Sequence, residues 1–133
     1  MSTRIINKAI NRKRCLLKKD RFGVLDRSIA NRIVSCLRRQ KNIHQIILFG
    51  SYARGNPKID SDIDLCIITN ETELTKSFSK KLQRKVQIAK ALIDIKKEFP
   101  IDLLVYTKAE WQKLLKLDHF FIQEINETGI PLL

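Results

Sequence analysis

The chain has 133 residues, the size of a single domain built on one hydrophobic core. With 44% hydrophobic and 30% charged residues it is neither a disordered chain nor one embedded in a membrane as a whole, and no apolar run approaches the roughly 20 residues that span a bilayer. Its charge is uneven: 26 Lys and Arg against 14 Asp and Glu give +12, of which residues 1–45 hold +11 (13 basic, 2 acidic) and residues 46–133 hold +1 (13 basic, 12 acidic).

Such an excess points to an anionic partner, and the asymmetry places that partner against the first third of the chain. Three readings compete for it: a solvated helix face, a contact with RNA or DNA through residues 4–41, and a docking surface for an acidic protein. Cys15, Cys36 and Cys66 are too few and too far apart for a disulfide framework, and none forms a Cys/His metal pattern, so a reducing cytoplasm is expected. The opening residues lack the apolar stretch of a secretory signal, although the Arg-rich, acid-poor segment 2–19 also has the composition of a transit peptide.

In chain order, Ile6, Ile10 and Leu17 at near-helical spacing among Arg and Lys predict a basic amphipathic helix over 4–19. Asp26 is the expected N-cap of a second helix carrying Ile29, Ile33, Val34 and Leu37 on one face, with Arg38, Arg39 and Lys41 near its C-terminal end. From Gln45 the pattern changes. Ile46-Ile47-Leu48-Phe49 reads as a buried strand stopped by Gly50-Ser51, followed by one helical turn at Tyr52 to Arg54 and a loop at Gly55-Asn56-Pro57.

Ile63 to Thr69 predicts a second strand. Residues 73–98 predict a long helix with Leu82, Val86, Ala89 and Ile93, together with Phe78, as its inner face, ended by Pro100. Ile101 to Thr107 predicts a third strand, Thr107 and Glu110 a capping box opening a helix through Lys116, and a last helix runs from about Asp118 to Glu127 and stops at Gly129. The expected fold class is a small mixed α/β (α+β) domain, a sheet of three or four strands covered by helices. Residues 45–133 form its core unit, with residues 1–44 as a basic helical extension packed on it.

The chemistry gathers around the first two strands. Gly50 permits a backbone conformation closed to other residues and a close approach of phosphate, and Ser51 adds a hydroxyl at the start of a helical turn. In Ser61-Asp62-Ile63-Asp64-Leu65 the two aspartates stand at i and i+2, which on an extended segment puts both carboxylates on one face, able to share a divalent cation. Asp102, on the third strand, reaches the same place if that strand lies beside the second. Three carboxylates holding two cations suit Mg²⁺ and substrate phosphates, and so phosphoryl or nucleotidyl transfer. Asp60, His44 and His119 are expected to be structural or exposed, and Trp111, Phe120 and Phe121 to be core or interface rather than base-stacking platforms. Cys66 is expected to alternate with the face of the aspartates and to point into the core.

The combination Gly50-Ser51-Tyr52-Ala53-Arg54-Gly55, then Ser61-Asp62-Ile63-Asp64-Leu65, then a lone Asp102 on a strand resembles the nucleotidyltransferase fold, and within it the minimal nucleotidyltransferase (MNT) domains. The resemblance covers about Gln45 to Leu133. It implies that Gly50 and Ser51 hold the terminal phosphates of a nucleoside triphosphate, that Asp62 and Asp64 bind both Mg²⁺ ions, and that Asp102 binds one and serves as base. Arg54 matches the motif's arginine, with a phosphate contact and a structural ion pair equally open. The activity implied is transfer of AMP from ATP to a hydroxyl, the partner a HEPN-type toxin offering a tyrosine, and the assembly a homo- or hetero-oligomer. A non-catalytic partner- or RNA-binding module of the same fold, and a small-molecule (aminoglycoside-like) nucleotidyltransferase, are the alternatives.

Overall fold

A computed structural model of the chain describes residues 25–133. The expected helix over 4–19, and Cys15 with it, lie outside the described residues. Helix α1 (Arg27–Arg38) starts where the Asp26 carboxylate accepts the Ser28 N–H at 2.7 Å, an N-cap that satisfies one of the orphan donors of the first turn. Its apolar face buries Ala30, Ile33 and Leu37 completely, so the basic third of the sequence contributes directly to the core.

Strand β1 (Ile43–Phe49) runs into a one-turn helix α2 (Gly50–Arg54), closed by Gly55 in a left-handed conformation whose N–H donates to the Ser51 carbonyl. Strand β2 (Ile63–Thr69) is buried along almost its whole length, as a central strand covered on both faces must be. Helices α3 (Phe78–Ala91) and α4 (Ile93–Glu98) then carry the chain over the sheet to β3 (Ile101–Thr107). Helix α5 (Lys108–Lys116) opens on a capping box: the Thr107 hydroxyl accepts the Glu110 N–H at 3.0 Å while the Glu110 carboxylate accepts the Thr107 N–H at 2.9 Å. Helix α6 (Phe120–Thr128) and a two-residue strand β4 (Ile130–Pro131) follow.

The sheet order is β3-β2-β1-β4, with β2 and β3 parallel and the other pairs antiparallel. Among the described residues this is a four-stranded mixed sheet within an α+β fold. One face packs Leu65, Ile67 and Leu103 against α1, α3 and α4 through Ile33, Leu37, Ile88, Leu92 and Ile95. The opposite face packs Ile47, Cys66 and Ile68 under Trp111 of α5 and Ile122 and Ile125 of α6. Fully burying each such aliphatic side chain contributes about 1.5–3 kcal/mol, which is why so short a chain holds two helical layers on one sheet.

Three local expectations change. The helix expected over 73–98 begins only at Phe78, capped by the Ser77 side chain, and is interrupted at Leu92. Residues 71–76 are held as a loop because Arg84, 8% exposed, reaches out of α3 to the Glu71 carboxylate and the Thr75 hydroxyl, while the Thr107 hydroxyl donates to the Glu73 carbonyl. With Arg84 facing inward, the inner face is Arg84, Ile88, Leu92 and Ile95. Phe78, Leu82, Val86 and Ile93 instead face solvent, at 78%, 49%, 42% and 52% exposure. Cys66 is buried as expected, but by strand alternation it shares the face of Asp64, and it is buried because α5 and α6 cover that face.

Candidate active site

The end of β1, the start of β2 and the start of β3 lie side by side. Phe49 is the direct cross-strand partner of Asp64, and Asp64 is that of Asp102. Directly opposed residues project to the same side of a sheet, so the three side chains form a row across three strands at one end of the α5/α6 face. The condition set by the sequence for Asp102, that β3 lie beside β2, is met by this register. Asp62 stands just before β2 and is exposed, Asp64 is half-buried, and Asp102 is exposed.

The electrostatics link the three. Burial, then the charge of Asp102, then that of Asp62, pushes the Asp64 carboxyl above the usual carboxylate range, and the Arg54 guanidinium partly opposes this. A divalent cation among these oxygens would offset their repulsion, and carboxylate oxygens are the hard donors that Mg²⁺ takes. Among the described residues no three His, Cys, Asp or Glu side chains already converge as a metal-binding group. The fit therefore lies in donor chemistry and charge, carried by Asp62, Asp64 and Asp102.

Gly50 is required by two constraints at once. Its φ of +76° lies in the left-handed region, and a Cβ placed on it would overlap the Asp64 carboxylate. The turn between β1 and α2 is therefore pressed against the acidic row. Ser51, half-buried in the single turn of α2, uses its carbonyl to accept the N–H groups of Gly55 and Asn56 at 3.0 Å each. Arg54, exposed at the end of that turn, lines a cavity of about 250 Å³ together with Gly50 and Asp64.

The cavity is lined also by α6, through Phe121, Glu124 and Thr128, and by Phe49. The Phe49 and Phe121 rings meet edge to face, centroids 5.9 Å apart at 79°. Sequence reasoning did not place these residues at the site. For Phe49 a signal existed, one residue before Gly50 at the end of a strand; for the α6 residues, more than 70 positions away, only the fold brings them there. Asp60, His44 and His119 are exposed, and Trp111 is buried in the core.

A family model described as "Polymerase beta, Nucleotidyltransferase" matches residues 31–131. Among solved structures, the chain is similar to a toxin-antitoxin crystallised with AMP-PNP, at 23% identity and a TM-score of 0.51 over 78% of this chain and 72% of that one. It is likewise similar to a mutant of the toxin-antitoxin MntA-HpeT, at 22% identity and a TM-score of 0.50, with the same coverage. These likenesses concern the fold. Comparison with curated proteins gives no match.

Proposed function

The chain belongs to the polymerase beta nucleotidyltransferase family, and on that premise we propose that it transfers AMP from ATP, with Mg²⁺, to a hydroxyl on a partner protein, a tyrosine of a HEPN-type toxin. The observation that carries this reading is the row of Asp64 and Asp102 on paired parallel strands, with Gly50 pressed against it. That one structure of this fold is a toxin-antitoxin holding AMP-PNP, an ATP analogue, supports both the donor and the kind of partner.

In this mechanism Gly50 and Ser51 seat the terminal phosphates. The carboxylates of Asp62, Asp64 and Asp102 would hold Mg²⁺, which when bound supplies Lewis-acid polarisation of the α-phosphate and neutralises charge on the leaving pyrophosphate. Asp102, the exposed end of the row, accepts the proton of the attacking hydroxyl. The new bond joins that oxygen to the α-phosphorus, and the bond from the α-phosphorus to the pyrophosphate oxygen breaks. Arg54 steadies the negative charge of the phosphates.

A second reading is a partner-binding module of the same fold acting without transfer, and the solvent-facing Phe78, Leu82 and Val86, spaced i, i+4 and i+8 along α3, favour it, since contiguous exposed apolar side chains mark interaction surfaces. Labelled ATP, Mg²⁺ and the product of the neighbouring gene separate the two. The enzymatic reading predicts label on that protein, lost in the double variant Asp62→Ala, Asp64→Ala together with neutralisation. A double variant that still neutralises its partner as well as wild type would favour the binding module. For the basic segment 4–41, contact with RNA predicts binding that weakens steeply with salt and is reduced by replacing the exposed Arg38, Arg39 and Lys41 with Gln, which leaves the buried face of α1 in place.

A further inference from the structure

We propose that Phe121 is the surface on which the nucleobase of the donor nucleotide stacks, so that α6 supplies the base subsite of the acidic centre. The inference rests on the nucleotidyl-transfer reading and goes beyond it in naming the residue that binds the base, against the sequence expectation that Phe121 is a packing residue.

Three observations carry it. First, Gly50 and Asp64 line one cavity with two aromatic residues, half-buried Phe49 and the more exposed Phe121, so a nucleotide with phosphates at Gly50 has its remaining atoms in reach of the Phe121 ring. The volume of about 250 Å³ is below the roughly 300–1,000 Å³ of sites for drug-sized ligands, and suits a flat base with part of its sugar. Second, Phe121 is 43% exposed although it contacts Phe49, so much of its surface is left for a ligand. An aromatic face of this kind accepts any base, because every base offers a π-face. Third, the edge-to-face contact with Phe49 fixes the ring from a residue that is itself the cross-strand partner of Asp64, so base platform and carboxylates are positioned by the same strand pair. Phe120, its neighbour, is 83% exposed and is not among the residues that line the cavity, which makes it the internal control.

The test is binding of two probes, ATP and inorganic tripolyphosphate, each with Mg²⁺, to the full chain and to Phe121→Leu, Phe121→Tyr and Phe120→Ala. Phe121→Leu keeps apolar volume and removes the π-face; Phe121→Tyr restores it. The platform predicts that Phe121→Leu weakens ATP roughly 5- to 150-fold, leaves tripolyphosphate unchanged, and is rescued by Phe121→Tyr, with Phe120→Ala like wild type for both probes. Equal loss of both probes, or loss of neither, overturns it while leaving the transfer reading intact. A wild-type chain that binds neither probe overturns both. Unchanged unfolding midpoints of the variants show that affinity, not folding, is being read.

Discussion

Asp64 and Asp102 are directly paired residues of adjacent parallel strands, and Phe49 extends the same row onto a third strand. A parallel pair in this register places two carboxylates side by side with no turn or loop to separate them. Burial of one and the charges of its neighbours then raise the free energy of the ionised row. The site is thus built at a cost to the fold that a bound cation reduces, which leads to the first prediction.

Asp64→Asn removes the charge with little change in shape. Because the folded carboxyl titrates above its unfolded value, ionisation favours unfolding. The penalty is absent at pH below about 3.8, grows as pH rises, and is complete once pH passes the folded value. Thermal unfolding of the variant and of wild type converges in acid, and the variant is the more stable at neutral pH. Millimolar Mg²⁺ raises the melting temperature of wild type more than that of the variant.

Gly50→Ala meets both a positive φ and the Asp64 carboxylate. It is expected to cost about 1–2 kcal/mol of stability from the left-handed backbone alone. Displacement of the carboxylate lowers kcat/KM by roughly 100-fold or more. Urea unfolding and steady-state transfer assays measure the two effects separately, and a variant with wild-type turnover would contradict the placement of this turn.

Arg84 joins α3 to the 71–76 loop through Glu71 and Thr75, and Glu71 in turn titrates below the usual range because the Arg84 guanidinium donates to it. Arg84→Ala therefore leaves a buried space and removes the charge-assisted hydrogen bonds to Glu71 and the one to Thr75, while Glu71 keeps the Thr69 hydroxyl and solvent, and is expected to destabilise by about 1–3 kcal/mol. The Glu71 contribution is present above the unfolded carboxylate pKa and fades as pH falls through the lower folded value, so the gap between wild type and Arg84→Ala narrows in acid. Chemical denaturation at neutral and acidic pH checks both the size and the sign.

Burial pushes the Cys66 thiol up to about 12, so the thiolate is negligible at neutral pH. Under native conditions Cys66 is expected to resist alkylation for as long as the sheet stays closed beneath α5 and α6, whereas half-buried Cys36 on α1 reacts first. Mass-spectrometric peptide mapping after a timed alkylation distinguishes them. Rapid labelling of Cys66 would show that the α5/α6 layer opens readily.

Most of this arrangement is written locally in the sequence. The apolar run before Gly50-Ser51, the Asp62/Asp64 spacing and the Thr107/Glu110 cap all act within a few residues of themselves, and the structure has β2, β3 and that cap where expected, with β1 beginning at Ile43, three residues before the apolar run. What was not legible depends on contacts between distant segments. The inner face of α3 follows from Arg84 finding Glu71 and Thr75, a pairing that hydrophobic periodicity scores as a solvent-facing charge. Strand β4 has only two residues, Ile130 and Pro131, and exists because β1 offers an edge to it. Phe121 comes to the acidic row only through the packing of α6 on β1, which no spacing along the chain records.

The central claim is that the bond broken lies at the α-phosphate. Parallel reactions with ATP labelled at the α- or the γ-phosphate, each with Mg²⁺ and the partner protein, decide it directly. The account predicts stable label on the acceptor from α-labelled ATP alone, with pyrophosphate released, and none from Asp64→Asn. Transfer of the γ-label would make the chain a kinase and contradict it, and label from neither donor would leave the acidic row without the transfer assigned to it.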